Sequence, residues 1–367
     1  MVPPKPNAIR VLVVDDSFFM RKMLQEMMED SGGAITVLDT AQNGLEAVEK
    51  TLKLKPDVVT LDVEMPQMDG LQALQKIMAE RPTPVVMLSS HTGEGTATAI
   101  RALELGAVDC LGKPAGRVME NMKEIQGELI EKIKVASAIR PRQRAGTRLG
   151  PKVSAAVVEL KEPPQDASFP QIEKPAQLIV AVASSTGGPR ALNELFSNIQ
   201  RHPAAAYVIV QHISVGFTKA LARRLGEVSC LAISEAEDQQ TLLGGHAYVA
   251  PAGSHLVIEG HPGHFKAVFN DAPPRLGVKP SADIMMASVA KVAGKHCLGV
   301  VLTGMGRDGT EGLKAIRAAG GKTFAQDAES CVVYGMPKSV VDAGLVDRQL
   351  SLPKMAEEIN ALLSKKS

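Results

Sequence analysis

Five polar residues fall where short apolar runs end. Asp15 and Asp16 follow the run 10–14, Asp62 follows 57–61, Ser89 follows 84–88 and Lys113 follows 108–111. In an open α/β sheet, ligands bind beyond the carboxyl ends of the strands. Three carboxylates converging there repel one another unless a cation joins them, and an all-oxygen ligand set suits Mg2+. Such an ion also bridges and neutralises a phosphoryl group during in-line transfer. Lys113 offers a point charge to phosphoryl oxygens, and Ser89 offers a hydroxyl donor. Helix capping explains a single Asp after a strand. It does not explain three acids, a hydroxyl and a lysine together.

A second set lies further along. Residues 179–189, IVAVASSTGGP, run from an apolar strand through a small-residue turn into a helix. A turn of this kind exposes a side chain at the strand's end, and the backbone N–H groups after it point outward. Those groups can hold an oxyanion or a phosphate. The turn matches neither nucleotide-binding glycine pattern, so a nucleotide site is the weaker reading. The next apolar run, 207–211, ends at His212, and the run 297–303 leads into TGMGRDG with Asp308. A serine, a histidine and an aspartate thus follow three different strands. Together they can run acyl transfer: the histidine takes the hydroxyl proton, the aspartate orients it, and backbone N–H groups stabilise the oxyanion. The order Ser, His, Asp differs from the Ser, Asp, His of α/β-hydrolases, which implies a separate fold. His246, His255, His261 and His264 cluster elsewhere, but no carboxylate spacing near them supports a metal site.

Both sets need sheets to position them. Residues 1–135 alternate short β-branched or aliphatic runs, including 34–38, with amphipathic stretches such as 18–28 and 96–105. Five β-then-α units imply a parallel sheet covered on both faces. Residues 136–176 lose the pattern. They hold six prolines between 141 and 175 and a basic run at 140–152, and read as a flexible linker. A second α/β segment follows, with core strands at 179–183, 207–211, 298–303 and 322–325. Helical patterns cover 190–199, 217–225 and 310–319. Between 229 and 270, short alternating runs at 247–251, 255–259 and 265–269 are split by Gly and Pro, which suggests antiparallel hairpins.

Composition narrows the function classes. The 367 residues carry a net charge of +1, so no overall field points to nucleic acid. With no Trp and only three Tyr, stacking platforms for single strands are scarce. No apolar run approaches membrane-spanning length and no signal-peptide core precedes residue 10, so a cytoplasmic protein is expected. The cysteines at 110, 230, 297 and 331 match neither a zinc site nor a redox pair and read as buried free thiols.

Residues 9–135 resemble a response-regulator receiver domain through VVDDS (13–17), LDVEMPQMDG (61–70), MLSS (87–90) and the Lys113-Pro114 pair. The resemblance implies a flavodoxin-like (βα)5 fold. Asp62 becomes the phosphoacceptor, Asp15, Asp16 and Asp62 the Mg2+ ligands, and Ser89 and Lys113 the phosphoryl sensors. Cys110 stands where receivers usually carry an aromatic switch residue.

Residues 177–365 resemble the catalytic domain of the CheB protein-glutamate methylesterases through ASSTGGP (183–189), VQHISVGFT (210–218), LTGMGRDG (302–309) and AQDAESCVVYGMPKSVV (325–341). This implies a doubly wound parallel-sheet domain with an antiparallel hairpin region. Ser185 would be the nucleophile, His212 the base and Asp308 its orienting acid, with the Met305 and Thr186 amides forming the oxyanion hole. Ser184 stands where the family has Ala. No cofactor is implied for the hydrolase. The implied partners are methyl-accepting chemotaxis receptors as substrate and the histidine kinase CheA as phosphodonor, with neither nucleic acid nor membrane insertion. A receiver-gated, noncatalytic phosphate- or nucleotide-binding module is the alternative, but it leaves the Ser/His/Asp set unexplained.

Overall fold

The computed structural model describes residues 8–90, 93–113, 122–139 and 174–365. The first apolar runs form β1 (Ile9–Val14), β2 (Ile35–Ala41), β3 (Val58–Asp62), β4 (Val85–Ser89) and β5 (Asp109–Gly112). Helices α1 (Phe18–Glu29), α2 (Gly44–Leu54), α3 (Gly70–Glu80), α4 (Gly93–Glu104) and α5 (Met122–Ala138) alternate with them. All pairings are parallel, in the order β2-β1-β3-β4-β5. Strands β3, β4 and β5 are buried at every position, as helices on both faces require. Side-chain caps set three helix starts: Ser17, Asn43 and Asp69 accept from the backbone of Met20, Glu46 and Gln72. The strand order reverses between β1 and β3, which opens a crevice at their carboxyl ends.

The second segment begins with β6 (Leu178–Ser184), α6 (Gly188–Phe196), β7 (Ala205–Gln211), α7 (Thr218–Val228), β8 (Ala232–Glu235) and β9 (His246–Val249). A hairpin of β10 (His255–Glu259) and β11 (Lys266–Asn270) leads to α8 (Ala282–Ala293). Then come β12 (Cys297–Val301), α9 (Thr310–Ala318), β13 (Lys322–Gln326), α10 (Met336–Asp342), β14 (Arg348–Leu350) and α11 (Leu352–Ser364). Seven of these strands form one parallel sheet, ordered β14-β13-β12-β6-β7-β9-β8. Its order reverses between β6 and β12, which brings the ends of those two strands to one switch point.

The expectation of antiparallel hairpins across 229–270 holds only for β10 and β11. The 247–251 run instead enters the main sheet as β9, parallel to both β7 and β8. Alternation flanked by Gly and Pro marks a short strand but not its direction. Direction follows the connection: residues 236–245 return the chain from the end of β8 to the level of its start, so β9 runs parallel to it.

At the expected linker's edges, residues 136–138 belong to α5. Pro175 bridges Leu243 and Ala176 is buried. The basic run 140–152 lies outside the described residues. One apolar cluster is continuous across both segments. Among the described residues no helix is long and apolar enough to cross a membrane. Of the four free thiols, Cys110 and Cys297 are buried, while Cys230 and Cys331 are half-buried.

Candidate active site and acidic pocket

At the first switch point, Asp15 follows β1 and is buried, Asp16 beside it is exposed, and Asp62 closes β3 itself. Carboxylate oxygens of these three lie within 4.8 Å of one another, the one such cluster with metal-ligand spacing among the described residues. Lys113 Nζ sits 2.7 Å from Asp62 Oδ1 and 2.8 Å from Asp15 Oδ2. Burial pushes the Asp62 carboxyl up to about 6, against the pull of Lys113. Asp62 Oδ2 is buried without a hydrogen-bond partner. An all-oxygen acid set with one orphaned oxygen fits a hard divalent cation. Ser89 is buried at the end of β4 and donates to the Ser90 carbonyl at 3.1 Å.

Cys110 is wholly buried in β5, and burial raises its thiol far above the ordinary range. The residue beside it is the informative one. Asp109 is buried and accepts from Lys132 at 2.7 Å and from its neighbour's N–H at 2.8 Å. Its other oxygen accepts from the Thr186 hydroxyl at 2.8 Å, across the boundary between segments. Three further ties join the same faces. Glu104 accepts from Arg224 at 2.7 and 3.0 Å and from Asn193 at 2.5 Å, and Glu128 accepts from Ser214 at 2.9 Å.

At the second switch point the two serines part company. Ser184 ends β6, is fully buried, and donates to Gln211 Oε1 at 2.7 Å. Ser185 lies on the turn, half-buried, and its hydroxyl holds no hydrogen bond among the described residues. Ser184 pairs in register with Gln211, so Ser185 and His212 are the next residues off two adjacent parallel strands. Gly187 takes a left-handed φ of 77°, and the Gly188 N–H closes the turn onto the Ser185 carbonyl at 2.7 Å.

His212 Nε2 lies 2.9 Å from Asp308 Oδ2, with both side chains largely buried. Burial alone would raise the Asp308 pKa. His212 and the donors from Asp283 and Ser281 outweigh it and hold the carboxyl below its ordinary value. An ionised Asp308 fixes the proton on Nε2 and leaves Nδ1 free as a base. Ser185 and His212 share no hydrogen bond in this state; such contacts often close only around substrate. The amides of Met305 and Thr186 also make none among the described residues. Met305 is exposed on the loop after β12, whereas Thr186 is buried beneath Asp109.

Gln211 has a role that local sequence pattern does not by itself reveal. Its Nε2 donates to the Ser185 and His212 carbonyls, both at 2.9 Å, while its Oε1 holds Ser184. One buried amide therefore ties both strand-end turns. A long polar residue closing an otherwise apolar strand was the available signal. His255, from the histidine group, is buried with both ring nitrogens committed to backbone groups.

The Gln211 brace explains Gly188. A Cβ there would lie 1.9 Å from Gln211 Oε1 and 2.9 Å from Ser184 Cβ. Gly188→Ala is therefore expected to overpack the turn at a cost of about 1–3 kcal/mol. The predicted result in a thermal melt is a Tm lower by roughly 2–10 °C. An unchanged Tm would show that Gln211 can leave without loss.

Residues 180–359 match the family described as CheB methylesterase, and residues 11–124 match the response regulator receiver domain. A protein-glutamate methylesterase/protein-glutamine glutaminase of Symbiobacterium thermophilum is 43% identical, covering 96% of this chain and 96% of its own. One with the same description from Geobacillus kaustophilus is 41% identical, covering 97% of this chain and 99% of its own. Among solved structures, the CheB methylesterase catalytic domain of Thermotoga maritima matches 51% of this chain and 99% of its own. It is 38% identical, with a TM-score of 0.50.

Proposed function

This chain belongs to the CheB methylesterase family, and from that premise we propose that Ser185, His212 and Asp308 hydrolyse γ-glutamyl methyl esters on methyl-accepting chemotaxis receptors, under control of phosphorylation at Asp62. The enzyme is a protein-glutamate methylesterase/protein-glutamine glutaminase. The observation that carries the site assignment is the buried His212–Asp308 pair, one strand from an uncommitted Ser185 hydroxyl, with Ser184 occupied by Gln211.

The chemistry follows from these groups. His212 Nδ1 takes the Ser185 proton as Oγ attacks the ester carbonyl carbon. Asp308 holds the Nε2 proton and stabilises the imidazolium. The oxyanion forms against the Met305 and Thr186 amides, each donor contributing about 10²–10³ in rate. The C–O bond to methoxide then breaks, and the leaving oxygen takes the His212 proton, releasing methanol. Water repeats the cycle against the acyl-enzyme: His212 accepts its proton, the carbonyl accepts hydroxide, and Ser185 leaves reprotonated, freeing the glutamate carboxylate. A primary amide follows the same path and releases ammonia.

The receiver controls the site by covering it. Asp109 occupies the Thr186 hydroxyl beside the nucleophile, and Glu104 and Glu128 hold the flanking helix and loop. Asp62 accepts the phosphoryl group from a histidine kinase of the CheA kind. Mg2+, held by Asp15, Asp16 and Asp62, would neutralise charge on the phosphoryl oxygens. Lys113 then exchanges its Asp62 contact for the phosphoryl group, drawing on the strand that carries Asp109. The enzyme acts in the cytoplasm, where the receptors present their methylated helices.

Methanol release from methylated receptor, with and without acetyl phosphate, tests this. The phosphodonor is expected to stimulate the native chain. Asp62→Asn should retain the basal rate and lose the stimulation. Full stimulation of that variant would place the control elsewhere.

A further inference from the structure

The triad acid is held from an unexpected direction. Asp308 precedes α9, yet its carboxylate crosses to the N-terminus of α8. There Oδ1 accepts from Ser281 Oγ at 2.8 Å and from the Asp283 N–H at 3.0 Å, and Oδ2 accepts from the Ala282 N–H at 2.6 Å. Asp283, in the first turn of α8, crosses back. Its Oδ1 accepts from the Gly309 N–H at 2.9 Å and the Gly312 N–H at 2.8 Å, at the start of α9. Each helix thus receives at its amino end a carboxylate from the other. Both acids are buried. The helices are also in close contact, since a Cβ on Gly312 would lie 2.6 Å from Met286 Cβ.

We propose that Asp283 and Ser281 are positioning residues for the triad acid, holding Asp308 in place through this reciprocal exchange between α8 and α9. The inference rests on the Ser185–His212–Asp308 reading. Asp283 anchors the peptide immediately after Asp308, and Ser281 anchors the carboxylate itself. Oδ2 is thereby aimed at His212 Nε2 while Oδ1 is occupied. His255 forms a further layer: its Nδ1 accepts from the Ser281 N–H at 3.0 Å and its Nε2 donates to the Pro273 carbonyl at 3.2 Å.

The charges agree with this division of roles. Asp308 faces His212 and Asp283. Asp283 faces Asp308 and Arg275, whose Nε lies 3.4 Å from Oδ2. Burial, with the neighbouring Asp308 adding to it, pushes the Asp283 carboxyl up. His212 and the α8 donors hold Asp308 down. Negative charge is therefore better stabilised on Asp308, the acid that faces His212, than on Asp283.

The test uses the full chain, activated by acetyl phosphate and assayed by methanol release from methylated receptor across a pH series. Asp283→Ala should lower kcat by about 10- to 100-fold, the scale of a small misplacement of a catalytic group. KM should stay within about twofold, since the substrate contacts are untouched. The acid limb of kcat/KM should move, because a displaced Asp308 loses contacts that hold its carboxyl below its ordinary value. Asp283→Asn keeps an acceptor oxygen and should recover most of the rate. Ser281→Ala should shift the same limb in the same direction, and Ser281→Thr should restore it. If Asp283→Ala does not fold, the Ser281 pair decides alone.

A pH limb that stays put, or an Asp283→Asn no better than Asp283→Ala, overturns the proposal. Asp308→Ala distinguishes the two levels. If it retains full activity, the triad reading fails. If it is inactive while Asp283→Ala and Ser281→Ala behave as native, only the positioning inference fails.

Discussion

Ser185→Ala is expected to abolish methanol release, and Ser184→Ala to leave most of it. Removing the nucleophile of a Ser-His-Asp set costs about 10⁴–10⁶ in kcat, since the remaining groups act only through it. Ser184 is different in kind. Its hydroxyl is spent on Gln211 inside the sheet, and no path leads from it to His212 without unmaking that bond. Ser184→Ala leaves Gln211 Oε1 buried and unpaired, a cost of about 1–3 kcal/mol in stability. Its activity should fall by less than about tenfold, because Gln211 keeps both carbonyl contacts on the turns. Side-by-side initial rates, with a thermal melt of each variant, separate the two effects. Activity in Ser185→Ala together with its loss in Ser184→Ala would reverse the assignment.

Release of the receiver should raise the basal rate without any phosphodonor. Deleting residues 1–140 removes every cross-boundary tie at once. If docking is favoured about 100 to 1, the ceiling of the gain is roughly 100-fold. Glu104→Ala is the finer instrument. It removes the forked Arg224 contact and the Asn193 contact while leaving the phosphorylation pocket intact. Arg224 is about one-third exposed, so solvent screens the pair, and its loss is worth about 1 kcal/mol, or roughly a fivefold rise in the undocked fraction. Asp109→Ala is a poorer choice, because it takes from the buried Lys132 cation its nearer carboxylate and leaves it Glu128 at 3.5 Å. Initial methanol-release rates of the unphosphorylated variants check this. A basal rate that stays flat or falls in both the deletion and Glu104→Ala would mean that docking does not restrain the hydrolase.

Much of this protein is written in local pattern. Buried parallel strands are largely apolar, so β1, β3, β4, β5, β6, β7 and β12 stand out as short runs with few polar residues. A parallel sheet gathers its carboxyl ends at one edge. Polar residues closing those runs, namely Asp15, Asp62, Ser89, Lys113, His212 and the serine pair, were therefore legible as neighbours before any coordinate. Asp308 could be placed near them only because it follows β12 within one loop.

The rest depends on partners distant in the chain, where periodicity carries no information. Two adjacent hydroxyls look alike in sequence. Ser184 is committed because β6 registers it against Gln211, and Ser185 is free because the chain has already turned. The residues that hold Asp308 come from α8, on the far side of a strand, and Asp283 reads locally as an ordinary first-turn acid. The direction of β9 was decided by the connection that leads into it, not by its own alternation. The contact of Asp109 with Thr186 joins residues from separate segments. The sequence by itself determined the core strands, the polar residues that close them and the family, but neither β8 nor β14, which are short and largely exposed. Only tertiary structure decided which hydroxyl is free, what steadies the acid and how the receiver reaches the site, because each rests on hydrogen bonds that form only once distant segments pack together.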